Sequence, residues 1–146
     1  MKKYIYISLA LVVFTFAAAE TSLACSCMAS RDSVKTQVSN AYEDSAAIFA
    51  GTVKSVTPTA AGNEVIVTFT VKDTWKGTAV TEIAVKTAKD SAMCGYNFET
   101  GKEYLVYSYG TAGALGVSNC SRTAAFPNKT DIKYLAKLKR SHAQKS

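Results

Sequence analysis

The residues of this chain with the clearest chemical potential are four cysteines, Cys25, Cys27, Cys94 and Cys120. Cysteine thiols pair as disulfides in oxidising compartments, and four thiolates can alternatively hold a structural zinc ion. The zinc interpretation is the weaker one, because the spacing lacks the two C-x2-C pairs that are typical of such sites. We therefore predict two disulfides.

Cys25 and Cys27 are two residues apart, and this spacing limits how the disulfides can form. In an extended segment their side chains lie on the same side of the chain, and a bridge between them would strain disulfide geometry. Each is therefore expected to bond to a distant cysteine, either Cys94 or Cys120, which leaves two connectivities open. Both would anchor the segment around Cys25 to later parts of the chain.

Residue types that usually carry catalysis are sparse. The only histidine, His142, lies in a basic segment near the C-terminus, so neither a histidine-based triad nor a histidine-rich zinc site is expected. Paired cysteines leave no thiolate nucleophile, the carboxylates are scattered, and the sequence has no glycine-rich phosphate loop. We predict that the protein is not an enzyme and that it uses no cofactor.

Residues 1–24 have the pattern of a secretory signal peptide. Lys2 and Lys3 precede an almost unbroken apolar run over residues 4–19, and a short polar segment follows it. The run is shorter than the roughly 20 residues that a membrane-spanning helix needs, which argues against an uncleaved anchor. We therefore predict that the protein is secreted or periplasmic, without stable membrane insertion after cleavage.

Two cleavage sites compete at the end of this segment. Cleavage after Ala24 would make Cys25 the first residue of the mature chain, whereas cleavage after Ala19 would leave Glu20 there. We favour Ala24, because the polar segment before it suits a peptidase that works at the membrane surface. Lipidation of Cys25 is a further alternative, but Ser22 lies where lipoproteins prefer a large aliphatic residue.

The positive charge is unevenly distributed. Nine basic residues balance nine acidic residues over residues 25–127, whereas six basic residues and one acid, Asp131, lie between residues 129 and 145. A basic segment of this kind can contact an anionic surface or nucleic acid. A solvated helix end is the simpler interpretation, and we predict no nucleic-acid partner.

The elements that must position the cysteines are mostly short strands. Apolar periodicity predicts a first helix, with Asp32 or Ser33 as its cap and with one face formed by Val34, Val38, Ala41 and Tyr42. It also predicts a final helix, which Thr130 and Asp131 cap and which has Ile132, Leu135 and Leu138 on one side. Strands are predicted over residues 46–56 (with Gly51 at a bulge), 65–71, 82–87, 103–109 and 116–120. Five strands predict a mainly β protein, an OB-fold-like barrel with an N-terminal and a C-terminal helix, because a sandwich more often needs seven.

Four short motifs resemble those of the tissue inhibitors of metalloproteinases, in particular their N-terminal, netrin-like inhibitory domain. The motifs are Cys25-Ser26-Cys27, Ser91-Ala92-Met93-Cys94-Gly95-Tyr96, Glu103-Tyr104-Leu105 and Asn119-Cys120-Ser121. The family's usual third bridge and its second, cysteine-rich subdomain are missing. The chain therefore resembles a minimal, single-domain relative, with the OB-fold part over residues 25–128 and a basic C-terminal helix and tail of the same domain over residues 129–146.

The resemblance implies the disulfides Cys25–Cys94 and Cys27–Cys120 and a zinc metalloendopeptidase as partner. We expect the protein itself to be a monomer. The resemblance further implies that the α-amine and carbonyl oxygen of Cys25 bind the catalytic zinc of that protease, with no metal of the inhibitor's own. Ser26 would enter the protease's specificity pocket. The remaining residues implied to contact the protease are Cys27, Ser91, Ala92, Met93 and Cys94.

Two alternatives stay open at this point. If the chain is cleaved after Ala19, the nitrogen of Cys25 is an ordinary amide that cannot chelate zinc, and the protein would be an exported, netrin-like binding module without inhibitory activity. Met93 could also be a buried residue that fills a gap in the core.

Overall fold

The computed structural model describes residues 25–144, and these form a mainly β structure with one helix at each end. The predicted signal peptide lies outside the described residues. Within residues 25–144 no helix is long and apolar enough to cross a membrane. The elements are helix α1 (Val34–Asp44), strands β1 (Ala47–Pro58), β2 (Glu64–Lys76), β3 (Glu82–Ala88), β4 (Glu103–Thr111), β5 (Ala114–Gly116) and β6 (Ala124–Ala125), and helix α2 (Lys129–Ala143), with a 3₁₀ turn at Ser91–Met93.

Strands β1 to β5 close into a barrel in the order β1-β2-β3-β5-β4, because β4 also pairs with β1. All of these pairs are antiparallel except β3 and β5, which meet in parallel where Lys86 faces Gly116. The predicted five-stranded, OB-fold-like barrel is confirmed. Strand β6 was not predicted; it adds a two-residue antiparallel pairing to β4.

Gly51 lies at a register shift between β1 and β2, as the sequence predicted. A β-carbon on Gly51 would lie 2.8 Å from the carbonyl oxygen of Thr70 on the neighbouring strand. Only glycine therefore allows the two strands to approach this closely. The bulge bends β1, so that its first half pairs with β4 while its whole length follows β2.

The side chains of β4 alternate between two cores. Tyr104 and Val106 point into the barrel with the first apolar cluster, whereas Leu105 and Tyr107 pack under the helices with the second. The first cluster also contains Phe49, Val53, Val67, Phe69, Val85, Phe98, Leu115 and Val117. The second contains Val38, Tyr42, Ile48 and Leu135. Strand β1 alternates in the same way, with Phe49 in the first cluster and Ile48 in the second, so β1 and β4 together join the barrel to the helices.

Both helices begin with a polar side-chain cap. At α1 the side chain of Ser33 accepts a hydrogen bond from the backbone of Thr36, which confirms one of the two predicted caps. At α2 the prediction was wrong by two residues: Asn128, not Thr130 or Asp131, caps the helix and accepts from the backbone of Asp131. Asp131 then lies in the first turn, and its carboxylate is turned inward.

The fifth strand lies earlier than the predicted residues 116–120. Glycines with positive φ at residues 110 and 113 allow a tight turn after β4, so the chain pairs again at Ala114–Gly116. Residues 118–121 form a turn instead, closed by a 3.0 Å hydrogen bond from the nitrogen of Ser121 to the carbonyl oxygen of Ser118. This turn presents Cys120 at the surface.

Candidate functional site

Two disulfides hold residues 25–27 against the barrel. Cys25 bonds to Cys94 and Cys27 bonds to Cys120, with Cα–Cα distances of 5.1 and 5.2 Å. The connectivity that the resemblance implied is therefore confirmed. No cysteine is free, so neither the four-cysteine zinc site nor a lipid on the Cys25 sulfur agrees with the structure.

The two disulfides lie against each other. The sulfur of Cys25 is 3.9 Å from the sulfur of Cys120, and the sulfurs of Cys25, Cys27 and Cys120 all lie within 4.8 Å of one another. Disulfide sulfurs carry no proton and are not thiolates, so this is a van der Waals contact rather than a hydrogen bond or a metal-binding cluster. The two bridges consequently restrain residues 25–27 as one unit.

The 3₁₀ turn at Ser91–Met93 places Cys94 for its bridge. The side chain of Asp90 caps this turn by accepting from the nitrogen of Met93, and Cys94 ends it in the left-handed conformation with φ 63°. The next residue must be glycine, because a β-carbon on Gly95 would lie 2.1 Å from the carbonyl oxygen of Ala88. The Cys-Gly step of the motif therefore has a steric cause.

A main-chain hydrogen bond joins Cys25 directly to this turn. The nitrogen of Cys25 donates to the carbonyl oxygen of Ala92 at 3.2 Å, and the nitrogen of Asn119 donates to the carbonyl oxygen of Cys94 at 2.8 Å. We call residues 25–27 together with residues 91–94 the cysteine ridge. The structure thus brings all seven predicted site residues into one ridge: Cys25, Ser26, Cys27, Ser91, Ala92, Met93 and Cys94.

The cysteine ridge is exposed. Ser26, Cys27, Ser91 and Ala92 are exposed, and Cys25 and Cys94 are half-buried. The side chain of Met93 is 49% exposed, so the alternative that it fills a gap in the core is wrong. Apart from the disulfides, the ridge offers main-chain atoms and small polar or apolar side chains, without an ionisable side chain. What the ridge could offer to a partner is therefore its shape, apolar contact and main-chain atoms.

Two grooves flank the ridge. One, of about 460 Å³, is lined by Met28, Cys120 and Arg122 among others, and the other, of about 390 Å³, by Met93 and Cys94. Tyr109 lines both grooves and is 50% exposed. Among the described residues, three of the six exposed large apolar side chains (Met28, Met93 and Tyr109) line these grooves. Exposed apolar side chains gathered in one region are typical of a protein-binding surface.

A buried polar network holds the segment that follows Cys120, and sequence reasoning missed it. Asp131 is only 1% exposed and accepts from Arg122 Nε at 2.7 Å, from Arg122 Nη2 at 3.0 Å and from the Tyr107 hydroxyl at 2.9 Å. Arg122 Nη1 donates in turn to Gln37 on α1 at 2.8 Å. The hydrogen bond to Asp131 raises the pKa of Arg122, and burial raises that of Tyr107. The Asp131 carboxylate therefore joins α2 to β4 and to the segment that follows Cys120, and Arg122 extends the network to α1.

One feature of the sequence pointed to this network. Asp131 is the single acid among the residues from 129 to 145, in a segment that otherwise carries only basic charge. Its position near the start of a helix predicts that Asp131 is the helix cap, and a cap needs only a backbone N–H group of the first turn as its partner. The actual partners, Tyr107 and Arg122, are 24 and 9 residues away in sequence, and only the fold brings them together.

Comparison with known proteins identifies no family. No protein-family model matches the chain, and no curated protein matches it significantly. The resemblance described above therefore depends on the four short motifs alone.

Proposed function

We propose that this protein is an exported inhibitor of zinc metalloendopeptidases. In this proposal the precursor is cleaved before Cys25, and the α-amine and carbonyl oxygen of Cys25 bind the catalytic zinc of the partner in place of its water. A catalytic zinc has three protein ligands and one position open to water or substrate, so it can accept such a donor pair. The two disulfides support export, because disulfides persist in oxidising compartments.

The observation that carries the proposal is the double restraint on Cys25. Its side chain is bonded to Cys94, and its nitrogen is held 3.2 Å from the carbonyl oxygen of Ala92. A neutral α-amine has two N–H bonds and one lone pair, so it can keep the bond to Ala92 while the lone pair binds a metal. A donor that is already ordered loses little conformational entropy on binding, which favours tight association.

The shape and chemistry of the ridge agree with insertion into a substrate cleft. Ser26 follows the zinc-binding residue and is exposed, so its side chain is free to enter the specificity pocket beside the zinc. Met93 is half-exposed on the neighbouring turn, where it can pack against the wall of the cleft. Tyr109 borders both grooves and extends the apolar contact beyond the ridge.

The first experiment is to determine the N-terminus and the inhibition of the exported protein together. Intact mass and N-terminal sequencing show whether the chain starts at an unmodified Cys25 with both disulfides formed. The same sample is then titrated against a panel of zinc endopeptidases. A matched variant with one alanine added before Cys25 converts the amine into an amide while both disulfides are retained.

We expect the protein that starts at Cys25 to inhibit, and the alanine-extended variant to bind at least about 100-fold more weakly, because it lacks the metal ligand that the amine supplies. Equal inhibition by both proteins would show that the amine is not the ligand. No inhibition of any zinc endopeptidase by a chain that starts at Cys25 would contradict the proposal.

A second candidate is a netrin-like binding module without inhibitory activity. It is favoured by the exposed apolar side chains of Met28, Met93 and Tyr109, which can bind a partner without a free amine, and the bond from the Cys25 nitrogen to Ala92 is compatible with it. Exported protein that starts at Glu20, together with binding to a non-protease partner through Met28, Met93 and Tyr109, would support this alternative.

A further inference from the structure

Helix α2 carries a row of exposed cations on the face that points away from the barrel. Lys129, Lys133, Lys137 and Arg140 are all exposed, and at 100° per residue they lie within an arc of about 80°. At 1.5 Å per residue the row is about 16 Å long. The apolar residues Ile132, Leu135 and Leu138 lie on the opposite face and pack against the second core.

No acidic side chain on the helix offsets this row. Asp131 is the only acid within α2, and its carboxylate is buried against Arg122 and Tyr107. Over residues 25–127 basic and acidic residues are equal in number. The excess positive charge of the described protein is therefore concentrated on one helix face.

The stability of helix α2 does not explain this row of cations. Lys129 is the first residue of α2, where the helix dipole disfavours a cation. Lys133 and Lys137 follow at i, i+4 spacing, and like charges at that spacing repel. Only Arg140, in the last turn, has a position that the dipole favours. Three of the four cations therefore do not stabilise the helix, which leaves them available to bind a partner.

We propose that this row binds a linear acidic polysaccharide through its carboxylate or sulfate groups. A single row of cations matches a chain-like polyanion that lies along the helix. A bilayer surface is the poorer match, because the helix has its apolar side chains packed inward and none beside the row to enter the lipid. The proposal is independent of protease inhibition, because the row and the cysteine ridge share no residue.

The test measures binding of the oxidised protein to heparin and to polygalacturonate by titration calorimetry at several salt concentrations. Phospholipid vesicles with one quarter phosphatidylglycerol and an oligothymidylate serve as rival probes. The test variant combines Lys129→Gln, Lys133→Gln, Lys137→Gln and Arg140→Gln. The matched control combines Arg31→Gln, Lys35→Gln, Lys89→Gln and Lys102→Gln, four exposed cations elsewhere with the same total change in charge.

We expect binding to at least one polysaccharide. A plot of the logarithm of the binding constant against the logarithm of the salt concentration should have a slope of about −3, if each of four contacts releases roughly 0.7 of a counterion. The test variant should lose at least ~10-fold in affinity, and the control much less, because the contacts are local. The melting temperature of the test variant should stay close to that of the parent, because removal of the like-charge repulsion offsets the loss of Arg140 from the last turn.

Three outcomes would overturn the proposal: equal loss in both variants, no binding to either polysaccharide, or tighter binding to vesicles or oligothymidylate. If the fourfold variant does not fold, the pair Lys133→Gln and Lys137→Gln, compared with Lys35→Gln and Lys89→Gln, decides the same question.

Discussion

Arg122 and Asp131 form a two-point ion pair between the segment that follows Cys120 and the first turn of α2. Two guanidinium nitrogens donate to the two carboxylate oxygens, Nε at 2.7 Å and Nη2 at 3.0 Å, and the carboxylate is almost completely buried. Tyr107 on β4 donates a third bond. The position of Cys120, and through its bridge that of Cys27, therefore depends on a charge in the core.

Replacing Asp131 by alanine should destabilise the protein by about 3 kcal/mol. The change leaves the Arg122 guanidinium without its counter-charge and the Tyr107 hydroxyl without its acceptor, and both costs are large in a buried site. Urea unfolding of Asp131→Ala measures the effect. The exposed Asp73→Ala is the control and should change the unfolding free energy by less than about 0.5 kcal/mol. A similar, small effect of both variants would contradict the role assigned to the network.

Stability should fall in strongly alkaline solution because of Tyr107. Burial is the main cause that raises its pKa above the ordinary value near 10, with Asp131 adding to the effect. The phenol is therefore neutral in the folded state while the unfolded chain ionises. The raised pKa of Tyr107 therefore contributes fully to the free energy of unfolding below about pH 10, and this contribution falls by roughly 1.4 kcal/mol per pH unit above it.

The measurement is urea unfolding between pH 9 and pH 11.5. Tyr107→Phe should be less stable than the parent at pH 8, because it lacks the bond to Asp131, but it should lose stability less steeply above pH 10. The half-exposed Tyr109→Phe is the comparison and should keep the parental slope. An unchanged slope in Tyr107→Phe would assign the alkaline loss to other groups.

Gly95→Ala should disturb the cysteine ridge strongly. The new β-carbon would lie 2.1 Å from the carbonyl oxygen of Ala88, so the backbone of the turn must move. We expect a loss of at least ~2 kcal/mol in unfolding free energy. Gly62→Ala is the control: its φ is +75° but nothing lies within 4 Å, so only the conformational cost of about 1 kcal/mol remains. Comparable losses would show that the turn adapts freely.

Met93→Ala should reduce inhibition without reducing stability. Because the side chain is half-exposed on the ridge, its removal changes the unfolding free energy by less than about 0.5 kcal/mol. If the side chain packs in the cleft of a protease, its truncation should weaken inhibition by about 1–2 kcal/mol, or roughly 5- to 30-fold. Val80→Ala, an exposed apolar residue that lines neither groove, is the control. An inhibition constant unchanged by Met93→Ala would place the contact surface elsewhere.

Inhibition should weaken in acid solution because the α-amine of Cys25 becomes protonated. An unperturbed α-amine has a pKa of about 7.7 to 8.0, and it must lose its proton before it binds zinc. Affinity should therefore fall about tenfold for each pH unit below that value. The inhibition constant is measured from pH 5.5 to 9 beside a reference inhibitor that does not titrate in this range, which corrects for changes in the protease. A flat profile after this correction would exclude the amine as ligand.

Much of the fold could be predicted from local patterns. The alternation of Val65, Val67, Phe69 and Val71 predicted β2, and Gly51 predicted the bulge in β1. The face formed by Val38 and Tyr42 predicted α1, with Ser33 as its cap. These signals succeed because a strand or helix must repeat its apolar side chains with the period of its own geometry. The fifth strand was misplaced and β6 was not predicted, because β5 and β6 have three and two residues and are too short to show a period.

The candidate site was likewise predicted in part from the sequence and decided in part by the fold. The types and spacing of the cysteines alone determined that there would be two long-range disulfides, since Cys25 and Cys27 are too close together to bridge, and the likeness to inhibitor motifs selected one of two pairings. Only the tertiary structure decided that the Cys25 nitrogen meets Ala92, that the two bridges touch, and that Asp131 is buried against Arg122 and Tyr107. The physical reason is that a local pattern records the environment of each residue, apolar or polar, whereas a hydrogen bond between distant segments depends on how the barrel closes. That closure is determined by the packing of the whole core.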